Sequence, residues 1–368
     1  MPGVLVHEWI SQSGGSENVL QAMSEVYPDA DIVCLWNDSV GRFPQERLRE
    51  SWLARSPLRR SKAAALPLMP AVWRKQRNLG YDWALISSHL FAHHVRFNPQ
   101  PGDFRRYVYV HTPARYIWAP ELDGRGQGRA ARTLAAALKP LDRRRARQAA
   151  TYAANSDFVR RRMESAWGVE GTVIHPPVDV TGIQSVADWS CRLNALESTV
   201  LEGLPDGYVL GASRFVPYKR LDLVIQAGEA ADRPVVLAGG GSELTRLRMI
   251  AREATVPVHF VDRPSTALLR ALYQRAAVFV FPAVEDFGIM PVEAMAAGAP
   301  VVAQAVGGTA ESVVPGLTGA LCTFTSRAAM KEGVNCAIST RRVDRCRHAR
   351  SFRAERFRNE IQAWVGVS

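Results

Sequence analysis

Short apolar runs of strand length alternate with amphipathic stretches of helical length from one end of this 368-residue chain to the other, which is the signature of parallel α/β architecture. Gly3–His7 reads as the first strand, followed by Ala30–Leu35, Trp83–Ile86, Arg106–Val110, Thr151–Ala154 and Thr172–His175, with helical segments between them. The first helix opens near Ser16, after the pair Gly14-Gly15. From about Pro176 to Gly207 the chain changes character, carrying Pro176-Pro177, Gly182, Gly203, Pro205 and Gly207 around one ambiguous helical stretch. A domain boundary belongs there. The alternation then restarts, with strands expected at Tyr208–Ala212, Pro234–Ala238, Val258–Val261, Val278–Phe281 and Pro300–Ala303. Helices are expected between them at Arg220–Ala230, Ser242–Glu253, Thr266–Arg275 and Ile289–Ala297. The expectation is two Rossmann-like, doubly wound α/β domains, residues 1–180 and 181–345, followed by a helical tail at 346–368. The tail is read as part of one basic helix over Val343–Val365, docked by an apolar stripe of Phe352, Phe357, Ile361 and Trp364.

Composition narrows the class. With 47% apolar and 22% charged residues the chain has material for two ordinary cores. No eighteen-residue apolar stretch and no secretory leader are visible, so a cytoplasmic protein is expected, as a monomer or homodimer. Cys34, Cys191, Cys322, Cys336 and Cys346 are scattered and odd in number, which suggests neither a disulfide framework nor a zinc site. The net charge of +11 fits anionic small molecules, nucleic acid or an anionic membrane face. Arginine runs at Arg143, Arg144, Arg145 and Arg147 and at Arg160, Arg161 and Arg162 read as solvated helix faces, and no nucleic-acid motif accompanies them.

The most informative stretch is FVFPAVEDFGIMPVEAMAAGAPVVAQAVGGTAESVV, beginning at Phe279. A strand ends at Phe281, a loop holds Glu285, Asp286 and Gly288, and a helix carries Glu293 about one turn in. Ligands of doubly wound sheets bind at the carboxyl ends of the strands, which places both glutamates beside a ligand. The backbone N–H groups of Phe287, Gly288 and Ile289 open the helix and can hold a diphosphate at its positive end. Two carboxylates beside an anion are tolerable if they bind neutral hydroxyls on either side of it. A nucleotide sugar has that layout. The plainer alternative is that both acids merely favour the helix dipole.

Two glutamates eight apart, embedded as E-D-F-G-I-x-P-V-E-A-M-A-x-G-x-P-V-V and followed by G-G-x-x-E, resemble the signature of family-4 retaining glycosyltransferases of the GT-B fold. A second motif, GASRFVPYKR from Gly211, places Arg214 and Lys219 five apart across a turn, where two cations can neutralise a departing diphosphate. In the family, the corresponding Arg and Lys contact the donor phosphates. A third, YVYVHTPARYIW from Tyr107, runs from a strand into a loop with His111 at its end. Its H-T-P-x-R-Y-x-W block resembles the subgroup of bacterial O-antigen mannosyltransferases, where this His faces the donor sugar. That subgroup commonly has an acid after the Trp, whereas this chain has Ala119. The Ser13-Gly-Gly-Ser-Glu17 turn, with Gly14 and Gly15, occupies the position of the family's glycine-rich acceptor and diphosphate loop.

Two further patterns carry less. Asp29-Ala30-Asp31 is a D-x-D at the amino end of a strand, the wrong end for a ligand, so no metal is expected. Gly239-Gly240-Gly241 lacks dinucleotide spacing, and Gly240 reads instead as lining the nucleotide base or ribose. The resemblance implies a metal- and cofactor-independent transfer of a hexose from a nucleotide diphosphate sugar, best read as GDP-mannose, with UDP-hexose as the alternative. Glu293 would hold the ribose, Glu285 a sugar hydroxyl, Arg214 and Lys219 the diphosphate, and His111 would orient the sugar and support developing charge. The acceptor reads as a lipid-linked glycan, with the Arg-rich helices touching an anionic membrane, or as a small molecule. A GT-B hydrolase or epimerase, and a non-enzymatic nucleotide-sugar or nucleic-acid binder, are the rival classes.

Overall fold

Buried hydrophobic strands, all paired in parallel within two large sheets, organise the chain. The computed structural model describes residues 1–12, 14–120 and 128–367, with residues 130 and 131 known by backbone alone. The chain divides into two compact units, Met1–Pro177 with Ala354–Ser368 and Val178–Arg353.

The first unit contains β1 (Gly3–His7), α1 (Gly15–Val26), β2 (Asp31–Cys34), β3 (Leu48–Glu50), β4 (Trp83–Ser88), β5 (Arg105–Val110), α2 (Arg129–Ala146), β6 (Thr151–Ala154), α3 (Asp157–Trp167) and β7 (Thr172–Val173). Its sheet runs β3-β2-β1-β4-β5-β6-β7. The second unit contains α4 (Ala195–Glu202), β8 (Val209–Ala212), α5 (Asp222–Ala231), β9 (Val235–Gly239), α6 (Leu244–Glu253), β10 (Val258–Asp262) and α7 (Thr266–Arg275). It continues with β11 (Val278–Phe281), α8 (Ile289–Ala297), β12 (Val301–Gln304), β13 (Gly319–Cys322), α9 (Arg327–Ile338) and α10 (Arg342–Ala349). Its sheet runs β10-β9-β8-β11-β12-β13. In both units the order reverses beside the first strand, between β1 and β4 and between β8 and β11. That switch point is where an open α/β sheet leaves a crevice.

The expected single tail helix is two elements serving two cores. Helix α10 belongs to the second unit, where Arg345 donates through Nε to the Gly298 carbonyl at 3.0 Å and Phe352, just beyond it, joins the core of that unit. The chain is then extended at Arg353, and α11 (Ala354–Val365) buries Phe357 and Ile361 in the first unit beneath β1 and β4 residues such as Leu5 and Leu85. The returning segment therefore starts at Ala354 and not at residue 346. Within the two large sheets, the strands absent from the sequence reading, β3 and β13, are both sheet edges. Neither β3, which is largely exposed, nor β13, built of Gly-Ala-Leu-Cys, offers an alternating or branched apolar run.

Candidate functional site

In the second unit the two loops leaving the switch-point strands meet. Strand β8 runs into the segment 213–220, β11 runs into 282–288, and Lys219 Nζ lies 2.5 Å from Glu285 Oε1. The two side chains are 11% and 16% exposed, so the pair is largely withdrawn from water. Lys219 also lies over the rings of Tyr218 at 5.2 Å and Phe281 at 5.4 Å, which limits where its ammonium can go. Exposed Arg214 donates through Nη2 to the Tyr218 hydroxyl at 2.9 Å. Arg214, Tyr218, Lys219 and Glu285 thus form one connected set, and Tyr218 is a member that spacing alone did not single out.

Glycines hold both loops in place. Ser213 and Phe215 donate backbone N–H bonds to the carbonyls of Ala238 and Gly240 at 3.1 and 2.9 Å. Gly239 has φ +138°, and a Cβ there would lie 1.9 Å from the Ser213 carbonyl oxygen, so only glycine lets the two loops pack this closely. Gly240 neighbours the side chains of Asp262 and Arg263. Behind Glu285, Gly308 N–H donates to the Glu285 carbonyl at 2.8 Å, and a Cβ on Gly308 would fall 1.9 Å from the Asp286 carbonyl oxygen. The G-G of the G-G-x-x-E sequence is therefore a backing plate for the acidic loop.

Helix α8 starts after Gly288, whose φ of +89° turns the chain into it. The N–H groups of Gly288 and Ile289 meet no protein acceptor among the described residues, as expected of a helix start. Phe287 sends its side chain into the core, 5.6 Å from the ring of Phe352. Glu293 sits half-buried one turn into α8 and makes no hydrogen bond among the described residues. Burial raises its pKa, Arg270 opposes the rise, and Asp179 adds to it.

In the first unit the carboxyl ends of β1, β4 and β5 bring together His7, Ser87, His89 and His111. Ser87 Oγ lies 2.8 Å from His111 Nε2 and 3.0 Å from His7 Nδ1. Burial lowers the His111 pKa well below the ordinary value, and His89 and His7 lower it further. His111 is therefore neutral near pH 7, and it orients a partner by hydrogen bonding without supplying positive charge. Fully buried Glu8 accepts backbone N–H bonds from His89, Leu90 and Ala92, the last two at 2.8 Å. At the Gly14-Gly15 turn the neighbour is a carboxylate. Glu17 accepts from Ser11 N–H at 3.1 Å and Ser16 Oγ at 2.8 Å, and a Cβ on Gly14 would lie 2.1 Å from Glu17 Oε2. Ser13 lies outside the described residues. Asp31, from the D-x-D, accepts from the Tyr81 hydroxyl at 2.6 Å and pairs with Arg49.

A cluster that the sequence reading missed surrounds Asp142. Its Oδ2 accepts the indole N–H of Trp118 at 2.6 Å and of Trp167 at 2.7 Å, and its Oδ1 faces His94 Nε2 at 2.9 Å and His93 Nε2 at 3.0 Å. Burial alone would raise the pKa of this fully buried acid, but His93, His94 and the hydrogen bonds hold it below the usual carboxylate range. The signal in the sequence was the one acid, facing inward, among the cations of α2. Trp118 of the H-T-P-x-R-Y-x-W block thus braces the loop after β5 against α2. Two His–carboxylate groups, His7-Glu8-His89 and His93-His94-Asp142, have ligand-type atoms within 4.8 Å of one another. In each the carboxylate already faces N–H donors that a cation would have to displace.

Comparison with known proteins accounts for the chain in two pieces. Residues 13–181 match Glycosyltransferase Family 4 and residues 201–354 match Glycosyl transferases group 1. The GDP-mannose-dependent alpha-(1-6)-phosphatidylinositol monomannoside mannosyltransferase of Mycolicibacterium smegmatis is 31% identical over 194 residues, 49% of this chain and 50% of that protein. The D-inositol 3-phosphate glycosyltransferase of Mycobacterium leprae is 40% identical over 132 residues, 32% of this chain and 30% of that one. The matched stretch spans half or less of these curated relatives. Among solved structures, Anabaena HepE in complex with UDP and glucose aligns with a TM-score of 0.69 at 18% identity over 100% of both chains. Sucrose-phosphate synthase from Thermosynechococcus elongatus aligns with a TM-score of 0.70 at 16% identity, over 100% of this chain and 98% of that one.

Proposed function

We propose, on the premise that this chain is a glycosyltransferase of family 4 with the GT-B fold, that it transfers a hexose with retention from a nucleotide diphosphate donor to a glycan or lipid-linked acceptor. The observation that carries the reading is the Lys219–Glu285 pair, set at the switch point of the second unit beside the start of α8. Lys219, Arg214 and the N–H groups of Gly288 and Ile289 meet the diphosphate, with no metal required. Glu285 and Glu293 take hydroxyls of the sugar and the ribose. Glu293 suits that role because its carboxylate accepts no hydrogen bond among the described residues and its desolvation favours a hydrogen-bonding ligand.

As the bond to the anomeric carbon breaks, negative charge grows on the leaving phosphate, and Lys219 is placed to stabilise it. That phosphate then takes the acceptor proton on the same face of the sugar. GDP-mannose is the favoured donor, supported by the mannosyltransferase relatives.

Thermal unfolding in the presence of GDP, UDP and dTDP tests the donor reading, since a ligand of the native state stabilises it by about 2.7 kcal/mol at a hundred times Kd. GDP should raise the midpoint most in wild type and much less in Lys219→Met. A protein stabilised by none of the three would defeat the proposal, and stabilisation by UDP alone would replace the GDP assignment.

A further inference from the structure

A cavity lies at the carboxyl edge of the sheet in the first unit. It measures about 1000 Å³ and is lined by Trp36, Arg55, Ser56, Arg59, Arg60 and Lys62 among others. One wall is a staircase of three short turns whose first residues are serines at five-residue spacing. Ser51, Ser56 and Ser61 each accept a backbone N–H from the following turn, those of Leu53, Leu58 and Ala64. Each turn buries or half-buries its apolar side, with Leu53 fully buried, and delivers a cation outward. The result is Arg55, then Arg59 and Arg60, then Lys62.

These cations differ in what holds them. Arg59 is neutralised by Asp38, with Nη2 2.6 Å from Oδ1, and Asp38 is in turn fixed by the Trp36 indole N–H at 3.1 Å. Lys62 is held over the Trp9 ring at 4.2 Å, and Trp9 stacks on fully buried Trp36 at 5.5 Å. Arg55 and Arg60 are exposed and have no carboxylate partner among the described residues. Arg55 and Arg60 thus bring positive charge to this cavity that no carboxylate among the described residues pairs with, which an anionic guest would relieve. Planar guanidinium groups match phosphate and carboxylate oxygens two at a time.

The place of the cavity points to the second substrate. Trp9 follows β1 and Trp36 follows β2, and Trp9 lies edge-on to His89 at 4.8 Å, which in turn lies 6.3 Å from His111. The cavity therefore shares the sheet edge and a continuous run of aromatic rings with His111. The diphosphate-binding groups, in contrast, belong to the second unit. We propose that this cavity is the acceptor's anion site, and that the acceptor is a saccharide carrying a phosphate or carboxylate, gripped by Arg55 and Arg60 with Lys62 beside them. The assignment rests on the glycosyl-transfer reading. The shared chemistry, a sugar beside an anion, could come from a soluble phosphosugar or from a phosphorylated lipid headgroup.

The test uses the full chain and two double variants of equal charge, R55A/R60A and the control R144A/R147A, whose arginines line a separate cavity beside α2. Binding of glucose 6-phosphate and of glucose is measured by calorimetry. Cosedimentation with phosphatidylcholine vesicles, with and without phosphatidylinositol, separates the headgroup source. Wild type should bind glucose 6-phosphate or the phosphatidylinositol vesicles and ignore glucose and plain phosphatidylcholine. R55A/R60A should weaken that binding by roughly tenfold per arginine, as expected for lost charge-assisted hydrogen bonds, while the control keeps it. Stabilisation by GDP should be the same in wild type and R55A/R60A, which checks both the fold and the donor reading. Equal weakening in both double variants, unchanged binding in R55A/R60A, or no binding of either anionic probe by wild type would overturn the anion site and leave the donor reading standing. Absence of any GDP response in wild type would instead strike the donor reading.

Discussion

Lys219→Met is the sharpest perturbation of the proposed chemistry, because the side chain is replaced by one of similar length without its charge. In the resting structure the ammonium is 2.5 Å from Glu285 and is largely shielded from solvent. An effective dielectric near 20 is therefore the appropriate choice over that of water, and a unit charge at about 4 Å then interacts with about 4 kcal/mol. That value bounds the effect from above, because the charge that develops on a departing diphosphate is spread over several oxygens and Lys219 must share itself with Glu285. Half the bound, about 2 kcal/mol, is the expected loss of transition-state stabilisation, or about 30-fold in kcat/KM. Steady-state donor consumption in wild type, Lys219→Met, Glu285→Gln and the double variant supplies the cycle. If the pair acts as one unit, the double variant should be little worse than the lysine variant alone. Turnover by Lys219→Met within about threefold of wild type, with an unchanged unfolding curve, would refute the reasoning, since the half-buried charge would then be stabilising the loop and not the reaction.

Other perturbations test the scaffold. Asp142→Leu strands two indole N–H groups and two buried imidazoles, so it should cost about 3–5 kcal/mol in urea unfolding, while Asp142→Asn, which can still accept from the indoles, should cost about half as much. Equal and small costs would show that the cluster is not structural. His7 and His94 are buried with pKa values lowered to about 4, by desolvation first and by neighbouring His89 and His93 second. The unfolded chain binds protons on these residues below about pH 6.5 and the folded one does not, so stability should be full above that pH and fall by several kcal/mol as pH drops towards 4. A flat stability profile between pH 7 and 4.5 would contradict this. Gly239→Ala should displace the loop bearing Arg214, because the new Cβ falls on the Ser213 carbonyl, and should abolish stabilisation by GDP. An intact GDP response would show that the glycine contact is not required for donor binding.

The sequence was most readable where burial on both faces dictates continuous apolar runs. Gly3–His7, Thr151–Ala154 and Val278–Phe281 are strands with the expected bounds, and α7 and α8 likewise have the expected bounds, Thr266–Arg275 and Ile289–Ala297. Lys219 and Glu285 were singled out by separate motifs, one for a diphosphate and the other for a sugar hydroxyl, and the folded chain sets their side chains against each other, a pairing that neither motif encodes. The tail was misread as one helix because the apolar spacing of Phe352, Phe357 and Ile361 continues across a break at Arg353, and a periodic pattern does not reveal that its members serve different cores. Asp142, His93 and Trp167 stayed hidden for a different reason. They are brought together from a short turn at Ala92–His94 and from the helices α2 and α3 over tens of residues, and no local spacing encodes a four-donor shell around one carboxylate.

The disposition of buried acids bears on how the reaction can proceed. A double-displacement mechanism needs a carboxylate with a free oxygen facing the anomeric carbon. In the first unit, the buried acids among the described residues are all engaged. Glu8 accepts from the backbone of its own switch-point loop, Glu17 from Ser11 and Ser16, and Asp142 from two indoles. A nucleophile recruited from these would first have to abandon N–H and O–H donors in a dry environment, at a cost of about 1–3 kcal/mol or more per donor left unpaired. His111 is neutral and tied to Ser87, so it is suited to fixing a hydroxyl and not to forming a covalent link. The buried acids of the first unit thus offer no disengaged nucleophile, in keeping with the proposed single-site route, in which the leaving phosphate itself receives the acceptor proton. That route also makes a firm demand: replacing Glu8 by Gln should lower stability, because an amide cannot accept all the N–H bonds that the carboxylate takes, while the stereochemistry of the product, read by NMR of the new anomeric proton, stays that of the donor.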